Sequence, residues 1–205
     1  MEVKLWFVDL VLGGCINLKN IILLGDSLTF GYGLDRNLSF ASLIEKNINY
    51  PLINKGINGS TTTDMLVRFT KDVIDNNPYL LLILGGTNDI LSNKPLKSII
   101  ENITLMIEEA LANNIKIILA SPPSFFRDEN SIFINLKDYD KNINKLSLLN
   151  TELSSLASIK NINFIDLFSV TNSLNNIFID GVHLNEEGNR LLYNKILPEV
   201  KKELS

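Results

Sequence analysis

With 205 residues, 45% of them hydrophobic and 20% charged, the chain has material for one α/β domain with a sizeable core and too little length for two. A formal net charge of −4 and a pI near 5.1 argue against a nucleic-acid partner, because phosphate binding needs clustered Lys and Arg that the sequence never assembles. Cys15 is the single cysteine, which excludes an intrachain disulfide and a metal cluster built on thiolates, and fits a reducing, cytoplasmic compartment.

Residues 1–20 read as an N-terminal extension and 21–205 as the domain proper. Leu5 to Leu12 is apolar but interrupted by Asp9, Glu2 sits beside Lys4 where a positive leader would begin, and the run is far short of the ~20 residues of a membrane span. No stable membrane span is therefore expected. Leu12-Gly13-Gly14-Cys15 resembles a bacterial lipoprotein cleavage site, so export or lipid anchoring through Cys15 stands as the alternative to a cytoplasmic protein.

From Ile21 onward, apolar runs of strand length alternate with helical periodicity, the pattern of a parallel sheet covered by helices. Ile21 to Leu24 reads as a buried strand, Phe40, Leu43 and Ile44 mark a helix, and a short strand falls near Pro51 to Asn54. Asp64 to Ile74 carries Met65, Leu66, Phe69, Val73 and Ile74 on one helical face, with Pro78 beyond its end. Tyr79 to Leu84 is apolar throughout, as in a central strand covered on both faces. A helix over Leu96 to Leu111, a strand over Ile115 to Ala120 stopped by Pro122-Pro123, and a helix over Asp138 to Leu156 follow. Asn163 to Leu167 is the last predicted strand, and Glu186 to Val200 a C-terminal helix, making about five βα units.

In open α/β sheets the ligand crevice lies beyond the carboxyl ends of the strands, so the residues just after each strand deserve the closest reading. After the first comes Gly25-Asp26-Ser27-Leu28-Thr29-Phe30-Gly31-Tyr32-Gly33, a serine at a strand exit where a helix begins. A hydroxyl there lies among unpaired backbone N–H groups able to stabilise an oxyanion; its bland alternative is an ordinary N-cap serine. No Lys follows the glycines as in a phosphate loop, the third glycine of a dinucleotide fingerprint is missing, and so is a G-x-S-x-G elbow.

After the second strand, Gly56 and Gly59 lie in a polar loop leading to Ser60-Thr61, where a glycine N–H can donate to a ligand. After the third, Gly85-Gly86-Thr87-Asn88-Asp89 offers in Asn88 an uncharged amide donor suited to an oxyanion, or simply a turn residue. Near the C-terminus stands Asp180-Gly181-Val182-His183, holding the only histidine of the chain. An imidazole can take a serine proton near neutral pH, and a carboxylate three residues earlier can fold back onto Nδ1 and leave Nε2 for Ser27. One His with one Cys does not meet the ligand count of a zinc site, whereas a hard-metal site from Asp26, Asp89 and Asp180 is a conceivable rival.

Taken together and in order, GDSLTFGYG at Gly25, INGSTT at Ile57, GGTND at Gly85 and DGVH at Asp180 resemble the SGNH, or GDSL, hydrolase superfamily over nearly the whole chain. The resemblance implies a flavodoxin-like three-layer α/β/α sandwich and a serine hydrolase of oxo- or thioesters that needs no cofactor or metal. It implies Ser27 as nucleophile with Asp180 and His183 completing the triad, and an oxyanion hole made by the Ser27 N–H, the Gly59 N–H and the Asn88 side chain. Gly59 is chosen over Gly56 because a small polar helix start follows it, and Asp26 and Asp89 take supporting places. The compact bacterial esterases, thioesterases and lysophospholipases are the nearest pattern, with a small-molecule ester as partner. Carbohydrate O-deacetylases share the same blocks, and a non-catalytic acyl- or sugar-binding module is a third reading. The aromatic stretch from Pro122 through Phe125, Phe126 and Phe133 to Leu136 is expected either to line the acyl side of the crevice or to pack on the domain.

Overall fold

The computed structural model describes residues 20–205, so the expectations for Cys15 and the apolar run before it lie outside the described residues. The elements run β1 Ile21–Gly25, α1 Ser27–Phe30, α2 Phe40–Glu45, β2 Leu52–Gly56, α3 Thr62–Val67, α4 Phe69–Asp72, β3 Leu80–Leu84 and α5 Thr87–Leu91. They continue with α6 Leu96–Ala112, β4 Lys116–Ala120, α7 Tyr139–Lys160, β5 Asn163–Ile165, α8 Leu167–Thr171 and α9 Glu186–Leu204. All four strand pairings are parallel, in the order β2-β1-β3-β4-β5. The chain order reverses between β1 and β3, which puts the topological switch point at their carboxyl ends.

Alternation along the strands builds two separate cores. Ile22, Leu24, Leu81, Ile83, Ile117 and Leu119 face a layer that includes Met65, Phe69, Ile103, Ile107, Leu149 and Leu153 from α3, α4, α6 and α7. Ile21, Leu23, Leu80, Leu82 and Ile118 face the opposite layer, where α2 and α9 contribute Phe40, Ile44, Leu192, Ile196 and Val200. Burying each such side chain contributes roughly 1.5–3 kcal/mol relative to leaving it in water, and that is why β1 and β3, buried throughout, read as apolar runs. The three-layer α/β/α arrangement expected from the sequence is present. Among the described residues no helix is long and apolar enough to cross a membrane.

Two elements differ from expectation. The helix predicted over Asp64 to Ile74 is broken: α3 ends at Val67, Arg68 turns out of helical geometry with φ −96° and ψ 3°, α4 follows, and Ile74–Asn76 is a 3₁₀ turn. Met65, Phe69 and Val73 are all fully buried, so the apolar face runs through the break, and periodicity registers the face without sensing the turn. The strand predicted over Asn163 to Leu167 ends at Ile165, because Asp166 caps a short helix by accepting the Ser169 N–H at 2.8 Å.

Candidate active site

β1 meets α1 in a turn that only glycine could close: a Cβ on Gly25 would lie 2.1 Å from Thr29 Oγ1 and 2.7 Å from the Leu84 carbonyl of the neighbouring strand. Asp26 is the N-cap, its Oδ1 accepting the Leu28 N–H at 2.9 Å. Ser27 is the first residue of α1, so its own N–H has no acceptor within the helix. Asp26 and Ser27 are buried. Burial pushes the Asp26 carboxyl up from 3.8 to about 7; the Leu28 N–H works against that rise and the charge of Asp89 adds to it.

The distant partner is built almost entirely by local bonds. Phe178 pairs with Leu184 in an antiparallel bridge, the Ile179 N–H donates to the His183 carbonyl at 2.8 Å, and the Asn185 N–H donates to Ile177 at 2.9 Å. Gly181 turns the tip with φ +88°, where a Cβ would lie 2.8 Å from the Phe126 carbonyl, and its own carbonyl accepts the Phe126 N–H at 2.8 Å. Asp180 Oδ1 accepts the backbone N–H groups of Val182 at 3.1 Å and His183 at 2.8 Å, which leaves Oδ2 on His183 Nδ1 at 2.7 Å. His183 Nε2 then lies 3.0 Å from Ser27 Oγ, across 156 residues of chain.

Aromatic rings hold the buried imidazole. Tyr32 lies against it with centroids 4.3 Å apart, and Phe133 meets it edge-on at 4.9 Å. Tyr32 and Phe133 are 40% and 37% exposed, so both also present ring surface to solvent at the mouth of the site. The aromatic segment after β4 divides its tasks: Phe125 and Ile134 join the core, Phe126 stacks on Phe178, and only Phe133 reaches the imidazole.

The groups expected to donate follow β2 and β3. Gly56 cannot carry a side chain, since a Cβ there would lie 2.3 Å from the Phe30 nitrogen, whereas Gly59, at φ +76°, faces open space. Asn88 Nδ2 donates to the Ser60 carbonyl at 3.1 Å and lies 3.4 Å from Asp26 Oδ2, which draws the third strand's loop onto the second's and onto the N-cap of α1. Asp89 accepts the Thr62 N–H at 2.8 Å and the Thr62 hydroxyl at 2.7 Å, pinning the start of α3 to α5. Ser27, Asp180 and His183 thus form one hydrogen-bonded chain, and Asn88 links Ser60 to Asp26, the residue before Ser27. Among the described residues no three His, Cys, Asp or Glu side chains gather as metal ligands; Asp26, Asp89 and Asp180 instead bind separate backbone and side-chain donors.

Tyr32 and Arg68 were not singled out by sequence reasoning. Arg68 left one trace there: a charge inside the otherwise apolar Met65, Leu66, Phe69 stretch, now seen with its side chain only 14% exposed.

Known proteins resemble this chain in sequence and in fold. In solved structures, a candidate acylhydrolase from Bacteroides fragilis is 30% identical with a TM-score of 0.79, covering 93% of this chain and 90% of that one. An arylesterase of Vibrio mimicus is 30% identical over 58% of this chain, and the uncharacterized lipoprotein YqeF of Bacillus subtilis is 34% identical over 49%. Those two alignments take in 63% and 47% of the relatives' own lengths. The profile of the GDSL-like lipase/acylhydrolase family matches residues 23–191, most of the 205, and the chain belongs to that family.

Proposed function

We propose that the protein hydrolyses carboxylic esters, oxo or thio, through an acyl-enzyme on Ser27. The observation that carries this reading is the linear relay from Asp180 to His183 at 2.7 Å and from His183 to Ser27 at 3.0 Å. His183 Nε2 takes the Ser27 proton as Oγ attacks the carbonyl carbon, and Asp180 fixes the tautomer and stabilises the imidazolium that forms. The oxyanion is met by the N–H groups of Ser27 and Gly59 and by the Asn88 amide, whose long contact to Asp26 at 3.4 Å is the one it gives up. The leaving alcohol or thiol departs with the proton from His183, and water repeats the sequence on the acyl-enzyme. Every proton transfer and charge contact comes from the chain itself, so these steps call for no cofactor.

The acyl or aryl side of the substrate is apolar in this reading, because the rings beside the imidazole, Tyr32 and Phe133, offer partly exposed aromatic surface and no charge. The arylesterase name of the Vibrio mimicus relative points the same way. Ser27→Ala should reduce hydrolysis of a short p-nitrophenyl ester by at least about 10⁴-fold while leaving the thermal transition intact. Retention of most activity would remove Ser27 from the mechanism. A series from acetyl to palmitoyl esters, with acetylated sugars alongside, tests the apolar preference; fastest turnover of the sugars would turn the reading to a carbohydrate deacetylase. For location we carry lipid anchoring through Cys15, since YqeF is itself named a lipoprotein. A mature N-terminus at an acylated Cys15 is the expected mass, and a chain that keeps residues 1–14 would overturn the anchor.

A further inference from the structure

We propose that Arg68 is a positioning residue of the oxyanion side: its guanidinium staples the carboxyl ends of β1 and β2 to the Gly59–Ser60 loop and so aims the N–H groups of Ser27 and Gly59. The inference rests on the reading of those two groups as oxyanion donors.

Arg68 Nη2 donates to the Gly25 carbonyl at 2.8 Å and lies 3.5 Å from Ser60 Oγ, while Nη1 donates to the Lys55 carbonyl at 2.9 Å. Gly25 lies two residues before Ser27, and Lys55 four before Gly59, so one planar group holds the carboxyl ends of the two strands that lead into both groups. β1 and β2 pair up to Gly25 and Gly56, and the Ile57 N–H adds a bond to the Gly25 carbonyl at 3.2 Å; Arg68 binds that same carbonyl and the Lys55 carbonyl at the end of the ladder and reaches past it to Ser60. A guanidinium presents two separated N–H edges in fixed geometry, which a lysine ammonium cannot reproduce.

The fork is itself held from behind. Asp72 Oδ2 accepts Nη1 at 2.6 Å and Oδ1 accepts Lys55 Nζ at 3.1 Å. Burial works to raise the Asp72 carboxyl, yet the hydrogen bonds from Arg68 and Lys55 hold it below the ordinary carboxylate range, so the anchor stays charged. A largely buried ion pair adds little net stability, because desolvation offsets the attraction. Its placement at the carboxyl ends of β1 and β2 is better explained by what it orients than by what it stabilises.

The test uses Arg68→Lys and Arg68→Ala, with kcat and KM for a p-nitrophenyl ester measured separately and folding followed by thermal melting. Displacing donors by a fraction of an ångström to an ångström should lower kcat about 10- to 100-fold with KM within about threefold, since the ground-state ester gains little from the oxyanion donors. Millimolar guanidinium ion should restore part of the kcat of Arg68→Ala and none of Arg68→Lys, a rescue that a purely structural role would not show. If Arg68→Ala does not fold, Arg68→Lys decides. A folded Arg68→Lys whose kcat stays within about threefold of wild type, or whose KM alone rises, overturns the proposal. Ser27→Ala separates the two levels: an inactive Ser27→Ala beside a fully active Arg68→Lys sinks only the staple, whereas an active Ser27→Ala sinks the site reading and the staple with it.

Discussion

The two halves of the candidate site are built by opposite means. In one, Asp180 and His183 lie three residues apart in a single turn, and the bonds that aim the imidazole come from Asp180, the Phe178–Leu184 bridge and the glycine at the tip. In the other, the proposed donors come from the segments after three different strands, and these segments are held together by side chains reaching between them: Asn88 to Ser60, Asp89 to Thr62, Arg68 to Gly25 and Lys55. A relay built by local bonds depends on a few atoms and fails abruptly. An assembled donor set shares its geometry over many bonds and should fail by degrees.

The sharpest way to break that contrast is Asp180→Asn. The asparagine oxygen can still accept the N–H groups of Val182 and His183, now met at 3.1 and 2.8 Å, so the turn survives. Its NH₂ would then face His183 Nδ1, forcing the tautomer that carries hydrogen on Nε2 and cannot accept the Ser27 proton. A loss of about 10⁴-fold in kcat is expected with an unchanged melting temperature. On the donor side, Asn88→Ala should cost about 10²- to 10³-fold in kcat with little change in KM. Equal losses from the two substitutions would erase the distinction between an abrupt relay and a graded donor set.

The same contrast governs what could be read from the chain alone. Strands that are buried on both faces announce themselves as apolar runs, and the DGVH turn carries its carboxylate and imidazole within one short segment. The staple did not announce itself, because Arg68 owes its place to a break between α3 and α4 that leaves the apolar spacing of Met65, Phe69 and Val73 untouched. Tyr32 escaped for a similar reason: it lies within the serine block, but only the fold brings it to His183. The short helix after Asp166 was legible in principle, as an Asp followed three residues later by a serine N–H to cap, but the apolar Leu167 extended the strand pattern past it.

Asp26 offers a test in pH. Its folded-state carboxyl titrates at about 7 against an ordinary value of 3.8, with Asp89, Arg68, the Leu28 N–H and Asn88 as its polar surroundings. Between about pH 4 and pH 7 the unfolded chain has lost this proton while the folded chain keeps it. Unfolding then releases a proton, and this group's contribution to stability declines as pH rises, by up to about 1.4 kcal/mol per pH unit. Below that window both states are protonated; above it both are ionised and the slope disappears. Asp26→Asn keeps an oxygen for the Leu28 N–H, so the cap remains, and altering the 3.4 Å contact with Asn88 adds only a constant offset. The melting temperature of the variant minus that of the wild type should therefore climb from pH 4 to pH 7 and level off above. A difference that is flat across the window would show that Asp26 is not held protonated by the fold.

The smallest effect separates conformation from approach on the donor side. Gly59 and Gly181 both have positive φ, at +76° and +88°, but only Gly181 is enclosed, with the Phe126 carbonyl 2.8 Å from where a Cβ would stand. At Gly59 an added Cβ meets nothing within 4 Å. Gly59→Ala therefore carries only the backbone cost of a left-handed residue, about 1–2 kcal/mol of stability, and keeps its N–H. In the proposed mechanism that N–H is what matters, so kcat should fall less than tenfold, far less than for Asn88→Ala, and the melting temperature should drop by a few degrees. A loss of a hundredfold or more in a well-folded Gly59→Ala would mean that the substrate occupies the space where the methyl stands. Glycine would then be needed at this position for close approach of the ester, and the openness beside Gly59 would mark the bound path of the substrate.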